Sequence, residues 1–256
     1  DRNPSKRLVF LDKMLLSGTN EMYYNLALPR DQAAALAEAV RATEPSTDFS
    51  GQWERNSDSQ YFLLGSFNKP TDWPVTEKGA AELEIFDLAN DPFVQCQSPA
   101  MPRVIFSPFG HQWSWNEDKT KLLIDKEFSP MDRTVHFDLD EVPADVEPSR
   151  MGFSLGSWDG DTMVITTSNF VDDMWGNARG LSSSDQKVVT ERWELIEDGF
   201  GMYFAYVIED PVYLAEPVTI EGTYFLRKPY TPAPEIPCTP DSAQRHIQFE
   251  QEMLNQ

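Results

Sequence analysis

The stretch from Met151 to Phe170, MGFSLGSWDGDTMVITTSNF, constrains the fold of this chain more than any other. Asp159-Gly160 stands between two runs of strand-forming residues. Asp and Gly tolerate the positive φ that both central positions of a type I′ turn require. After the turn, Met163, Ile165 and Thr167 fall on one face and Thr162, Val164 and Thr166 on the other. Before it, Phe153 and Leu155 alternate with Ser154 and Gly156. A period of two with β-branched residues predicts a β-hairpin rather than a helix.

The same pattern recurs along the chain. Strands are expected at 49–55, 60–66, 103–107, 111–116, 120–128 and 132–139, then in the hairpin at 153–158 and 162–168, and finally at 186–197, 200–208 and 216–227. Turn residues such as Asn116-Glu117-Asp118, Asp198-Gly199 and Asp210-Pro211 separate them. Short spacing of this kind indicates antiparallel connections and an all-β sandwich or barrel. One helix interrupts the pattern. Thr76 caps it, it runs to about Leu88, and Asn90-Asp91-Pro92 stops it. Val171 to Ser184, polar and rich in Gly and Ser, reads as a long loop of the kind that forms lids or contact surfaces.

Three regions follow. Residues 1–47 form an N-terminal extension with a helix over 32–43, opened by Pro29-Arg30-Asp31 and carrying Leu36, Ala39 and Val40 on one stripe. Residues 48–228 form the antiparallel β-barrel domain. Residues 229–256 hold an extended strap with Pro229, Pro232, Pro234, Pro237 and Pro240, then a short helix capped by Asp241 and running to Met253.

The hairpin carries a further pattern, Gly152-x-Ser154-x-Gly156-x-Trp158-x-Gly160-Asp161-Thr162, with a β run ending in Phe170. This resembles a family of uncharacterised secreted bacterial proteins, the lipocalin-like β-barrels. Gln52-Trp53-Glu54, Val75 to Gly79, Cys96 to Arg103, Arg133 with His136, Glu191-Arg192 and Asp210-Pro211 also match, so the resemblance spans about Asp48 to Cys238. It implies a lipocalin-like antiparallel β-barrel with short helical appendages at both termini. It also implies a periplasmic or secreted protein whose signal peptide has been removed; processing or trimming both account for a start at Asp1. Cys96 and Cys238 match family cysteines, which implies a disulfide and an oxidising compartment. Two buried thiols are the alternative. The family has no established function. It usually has histidine where this chain has Phe153, and a histidine-serine pair at Ser182-Ser183. If those histidines are catalytic in relatives, this chain lacks them.

Charge excludes some partners. A net charge of −21 over 256 residues argues against nucleic acid and anionic lipid, which demand basic patches. No apolar run is long enough to span a membrane. There is no metal-spaced cysteine set, no phosphate-binding glycine loop and no dinucleotide fingerprint, so no cofactor is expected.

Several groups could carry chemistry. Gly152 to Gly156 matches the G-x-S-x-G of hydrolases, but a second strand follows where the nucleophile elbow needs a helix. Ser154 is therefore expected to be a strand serine. Thr134, His136, Asp138 and Asp140 share one strand face. Ligands spaced along a strand spread over about 13 Å, which suits a solvated face better than a single metal ion. Arg133 lies on the opposite face from His136 if the strand is regular. It could pair with Glu191 inside the barrel or bind a ligand carboxylate, and Arg103 has the same two readings. Ser184 to Lys187 matches S-x-x-K, a motif common by chance. His111, Trp113 and Trp115 fall on one face, while Trp158, Trp193, Tyr203 and Tyr206 lie in other strands. Aromatic walls of this kind line ligand pockets, and equally fill cores.

Three functions are expected from these features. The first is binding of a small apolar or aromatic molecule at the barrel mouth by Arg103, Trp113, Trp115, Trp158, Trp193 and Tyr206. The second is acid/base catalysis on a small molecule by His136, Arg133 and Glu191. The third is a place in an exported assembly, with the terminal extensions contacting a protein partner.

Overall fold

The computed structural model describes residues 48–55, 70, 72–106, 110–126, 132–196, 199, 201–228 and 239–241. The expected strand at 60–66, both terminal helices, most of the proline-rich strap and Cys238 lie outside the described residues.

In chain order the elements are β1 (Gly51–Arg55), α1 (Glu77–Glu84), short 3-10 turns at Leu88–Asn90, Pro92–Gln95 and Arg103–Phe106, β2 (His111–Trp115), β3 (Lys121–Lys126), β4 (Arg133–His136), β5 (Phe153–Asp159), β6 (Thr162–Ser168), β7 (Asp173–Ala178), β8 (Leu181–Ser183), β9 (Val188–Ile196), β10 (Gly201–Glu209) and β11 (Val218–Lys228). Nine strands form one strongly curled sheet in the order β1-β11-β10-β9-β6-β5-β4-β3-β2. Trp53 of β1 pairs with His111 of β2 as well as with Arg227 of β11, so the ring of backbone hydrogen bonds closes. β7 and β8 form a separate two-stranded sheet. No described helix is long and apolar enough to cross a membrane.

The β5–β6 hairpin forms with Asp159 opposite Thr162 and Phe153 opposite Ser168, so Gly160 and Asp161 are its central residues. Of these only Gly160 has a positive φ (+62°), and the turn is not the expected type I′ centred on Asp159-Gly160. Burial alternates along β6, where Met163, Ile165 and Thr167 point inward. It alternates likewise on β10, where Met202, Phe204, Tyr206 and Ile208 do. Trp53, Trp113 and Trp193 complete the core. Trp193 meets Trp113 edge-on at 4.9 Å and Phe204 at 4.1 Å. Each such fully buried side chain contributes on the order of 2 kcal/mol by leaving water.

Three expectations change. The sheet is not antiparallel throughout, because β4 and β5 pair in parallel, Val135 with Ser154 and His136 with Leu155. A parallel neighbour requires the chain to travel back along the barrel before re-entering, and the acidic, proline-containing stretch 137–152 makes that return. Second, Arg103–Phe106 is a 3-10 turn and not a strand. Val104 N bonds to Ala100 O and Ile105 N to Pro102 O, so the backbone is satisfied locally. Its apolar residues plug one barrel end, and a short apolar run reads alike as buried strand or buried turn. Third, 171–184 is no open loop. It folds into β7 and β8 around Gly180 (φ +82°), and Trp175, Asn177, Ser183 and Ser184 are buried.

Helix α1 begins as expected. Thr76 Oγ1 accepts from Gly79 N and donates to Val212 O. It ends at Glu84, short of Leu88, because Asp87 caps a new 3-10 turn by accepting from Ala89 N.

The two barrel ends differ. At the end marked by His111, Arg133, Phe153 and Val188, Met101 to Ile105 and the β7–β8 hairpin form a cap. At the other end lie the turns at 116–120 and 159–161, together with Phe137 and Phe49, as the pairings Trp115–Leu122, Trp158–Met163 and Gly51–Trp113 dictate.

Candidate ligand site

Inside the barrel, strand register brings Arg133, Ser154, Thr167 and Glu191 together. Arg133 grips Glu191 with both terminal nitrogens, Nη1 to Oε2 at 3.1 Å and Nη2 to Oε1. Its Nε donates to Ser154 Oγ at 2.8 Å, and Nη2 donates also to Thr167 Oγ1 at 3.0 Å. Trp193 Nε1 donates to Glu191 Oε2 at 3.1 Å. Of the two readings of Arg133, the internal pair with Glu191 is the one found. The guanidinium is already engaged on every nitrogen. A buried pair is tolerated when hydrogen bonds satisfy both ions. Ser154 Oγ is held by Arg133 Nε and Thr167 Oγ1, and a second strand rather than a helix follows its own, so the hydrolase motif is a coincidence of packing. Nearby Tyr206 is buried, and burial first, then the Glu191 charge, pushes its pKa well above the ordinary value.

His136 does not join this group. It faces the other side of β4, stacks on Phe153 at 4.6 Å and lies 3.7 Å from Asp138. Burial lowers its pKa, helped by Lys121 and opposed by Asp138, so the ring is neutral near pH 7. The expected catalytic set of His136, Arg133 and Glu191 is thus split by the sheet. β4 ends at His136, which takes Asp138 and Asp140 out of strand alternation. Among the described residues no three His, Cys, Asp or Glu side chains gather as metal ligands do.

Four of the six expected ligand-binding residues, Arg103, Trp113, Trp193 and Tyr206, are buried. Trp113, Trp193 and Tyr206 fill the core, and a cavity of about 20 Å³ beside them is bounded by Met101, Ile105, His111 and Arg133. That volume holds about one water. Arg103 is buried and shares Asp91 with Arg179, each pairing at 3.0 Å.

The remaining two, Trp115 and Trp158, lie at the other end of the barrel. Ser154, Gly156 and Trp158 alternate inward along β5. By Trp158 the strand has passed the packed interior, so this ring is 51% exposed. Trp115 stacks on it at 6.5 Å, Phe137 approaches it at 5.8 Å and Phe49 at 5.9 Å. Gly156 makes this possible. The Phe137 ring lies where a Cβ would stand, 2.5 Å from it. Sequence reasoning found Trp115 and Trp158 but missed Phe49 and Phe137, since nothing local signals that residues beyond two strand ends converge.

It also missed Lys187. This side chain is 1% exposed and donates to Met101 O at 2.7 Å and to Ser183 Oγ at 3.0 Å, with its ammonium 4.2 Å from the Phe170 ring centre. Burial lowers its pKa to about 7 against the attraction of Asp173 and Asp210. The S-x-x-K match, expected to be chance, pairs Lys187 with Ser184, but Ser184 donates to Asp210 at 2.7 Å and the serine Lys187 reaches is Ser183. A serine beside a neutral lysine is nucleophile chemistry in principle. Here Ser183 is 1% exposed, and a Cβ on Gly176 would stand 2.2 Å from its oxygen, so no substrate fits against it. Arg150 with Asp173 at 2.7 Å and Glu82 with the Ser182 amide at 2.8 Å complete a polar cap.

No protein-family model matches this chain, and no curated protein matches it.

Proposed function

We propose that this is an exported binding protein whose barrel is a rigid scaffold and whose aromatic mouth takes a small apolar or aromatic molecule. The observation that carries the reading is Trp158, half in solvent at the centre of four converging rings. A large exposed aromatic is costly to leave in water, and stacking on a planar ligand offsets that cost. The packed interior supports the mouth over the barrel core as the binding place, and the division of His136 from Arg133 and Glu191 favours binding over acid/base turnover. On this reading the chain is a lipocalin-like secreted barrel of the family its hairpin resembles, with Cys96 bonded to Cys238. A thiol titre of zero before reduction and two after would support that bond, and two before reduction would exclude it.

The test is calorimetric titration with 2-naphthalenemethanol, a neutral aromatic probe. Binding that is lost in Trp158→Ala and unchanged in His136→Ala supports the reading. Binding that is lost in His136→Ala and kept in Trp158→Ala overturns it.

A further inference from the structure

The aromatic mouth has a charged setting that narrows what it accepts. Asp48 precedes Phe49, Asp138 follows Phe137, Glu117 and Asp118 form the turn after Trp115, and Asp159 and Asp161 flank the turn after Trp158. Each of the four rings is thus followed or preceded within a few residues by carboxylates. Against these stand Lys119, Lys121 and Arg192. Lys119 lies 3.8 Å from Asp48 and Arg192 2.7 Å from Asp159, and both pairs are solvent-exposed. Among the described side chains at this end, carboxylates therefore outnumber cations.

We infer that the mouth binds an organic cation with an aromatic or alkyl body, such as a quaternary ammonium compound. This rests on the proposed binding role and names its ligand class. The indole face is the negative side of the ring quadrupole, and a cation within about 6 Å of its centre is attracted to it. Trp158 is 51% exposed, while Trp115 and Phe137 pack against it and hold its orientation. The surrounding carboxylates add a longer-range attraction that salt weakens. The same charge argues against a second copy as the occupant. Two chains of net charge −21 would bring like-charged rims face to face.

Three probes sharing one ring system test this with the full chain: (2-naphthylmethyl)trimethylammonium, 2-naphthalenemethanol and 2-naphthoate, titrated by calorimetry at about 20 mM and about 500 mM NaCl. The cation is expected to bind about five- to twentyfold more tightly than the alcohol at low salt, with naphthoate weakest, and the preference is expected to shrink at high salt. Trp158→Leu keeps an apolar side chain at a half-exposed position and removes the π face. It is expected to bring the cation down to the affinity of the alcohol. Equal binding of cation and alcohol overturns the inference and leaves the binding role standing. No binding of any probe overturns both. Shielding of Trp158 from acrylamide, read as the quenching difference between the wild type and Trp158→Leu, means that another part of the chain covers the rim. Sedimentation of a dimer that Trp158→Leu abolishes means that a second copy does. Either result overturns the inference.

Discussion

Lys187 provides a sharp energetic test of the fold. Its ammonium is enclosed by Met101 O, Ser183 Oγ and the Phe170 ring, with no exposure to speak of. Burial lowers its pKa from the model-compound 10.5 to about 7. Between these values the folded chain binds fewer protons than the unfolded chain, so folding stability must rise with pH across that window. Below about pH 7 both states carry the proton, and the full desolvation cost is present. Each pH unit inside the window contributes about 1.4 kcal/mol. From pH 7 to pH 9.5 the wild type should therefore gain about 3 kcal/mol from this group alone. Lys187→Met keeps the length of the side chain and removes the titration. Urea unfolding of both proteins at pH 7 and 9.5 isolates the effect, because every other group cancels in the difference. Lys187→Met should compare best with the wild type at pH 7 and lose ground by about 3 kcal/mol at pH 9.5. A difference between the two proteins that stays constant within about 0.5 kcal/mol would refute the reasoning. It would mean that Asp173 and Asp210 compensate the buried ammonium in full.

Other expectations concern the barrel and its mouth. Removing one partner of the buried pair, by Arg133→Met or Glu191→Leu, should cost about 3–5 kcal/mol in chemical denaturation. The double variant should recover most of that, since no lone charge then remains buried. Gly156→Ala forces its methyl into the Phe137 ring. It should cost about 1–3 kcal/mol and change tryptophan emission as Trp115 and Trp158 shift, whereas a silent spectrum would deny the contact. The His136 pKa, followed by proton NMR, should lie below 6.5. With a lowered folded pKa, stability falls as pH drops through the window just below 6.5, and His136→Phe should remove that slope. A midpoint above 6.5 would show that Asp138 outweighs burial.

The positions of the strands were legible in the sequence because strand formation is largely local. The alternation in 162–168 and the Thr76 cap each act over a few residues, and each forms as expected; the hairpin turn also forms, one residue later than Asp159-Gly160. Inward and outward faces followed from the same period of two, which put Arg133 and His136 on opposite sides and Arg133 within reach of Glu191. Which neighbours the strands would choose was not legible. The parallel β4–β5 pair depends on a return path along the barrel, a long-range constraint that no window of sequence contains. The polar segment 171–184 misled for a related reason. Composition cannot distinguish polar groups that meet water from those that meet Asp210, Asp91 or Lys187 inside a cap.

The candidate site divides along the same line. Sequence alone named Trp115 and Trp158 as aromatic strand residues that could line a pocket, and it named Trp113, Trp193 and Tyr206 on equal terms. Only the tertiary structure separated them. The barrel packs its middle down to a cavity of about 20 Å³ and leaves rings at one end partly wet, because a ring of nine strands encloses little more than the volume of its own side chains. Whether an inward aromatic is core or contact surface depends on its height along the barrel axis. That height is set by register between strands distant in the chain.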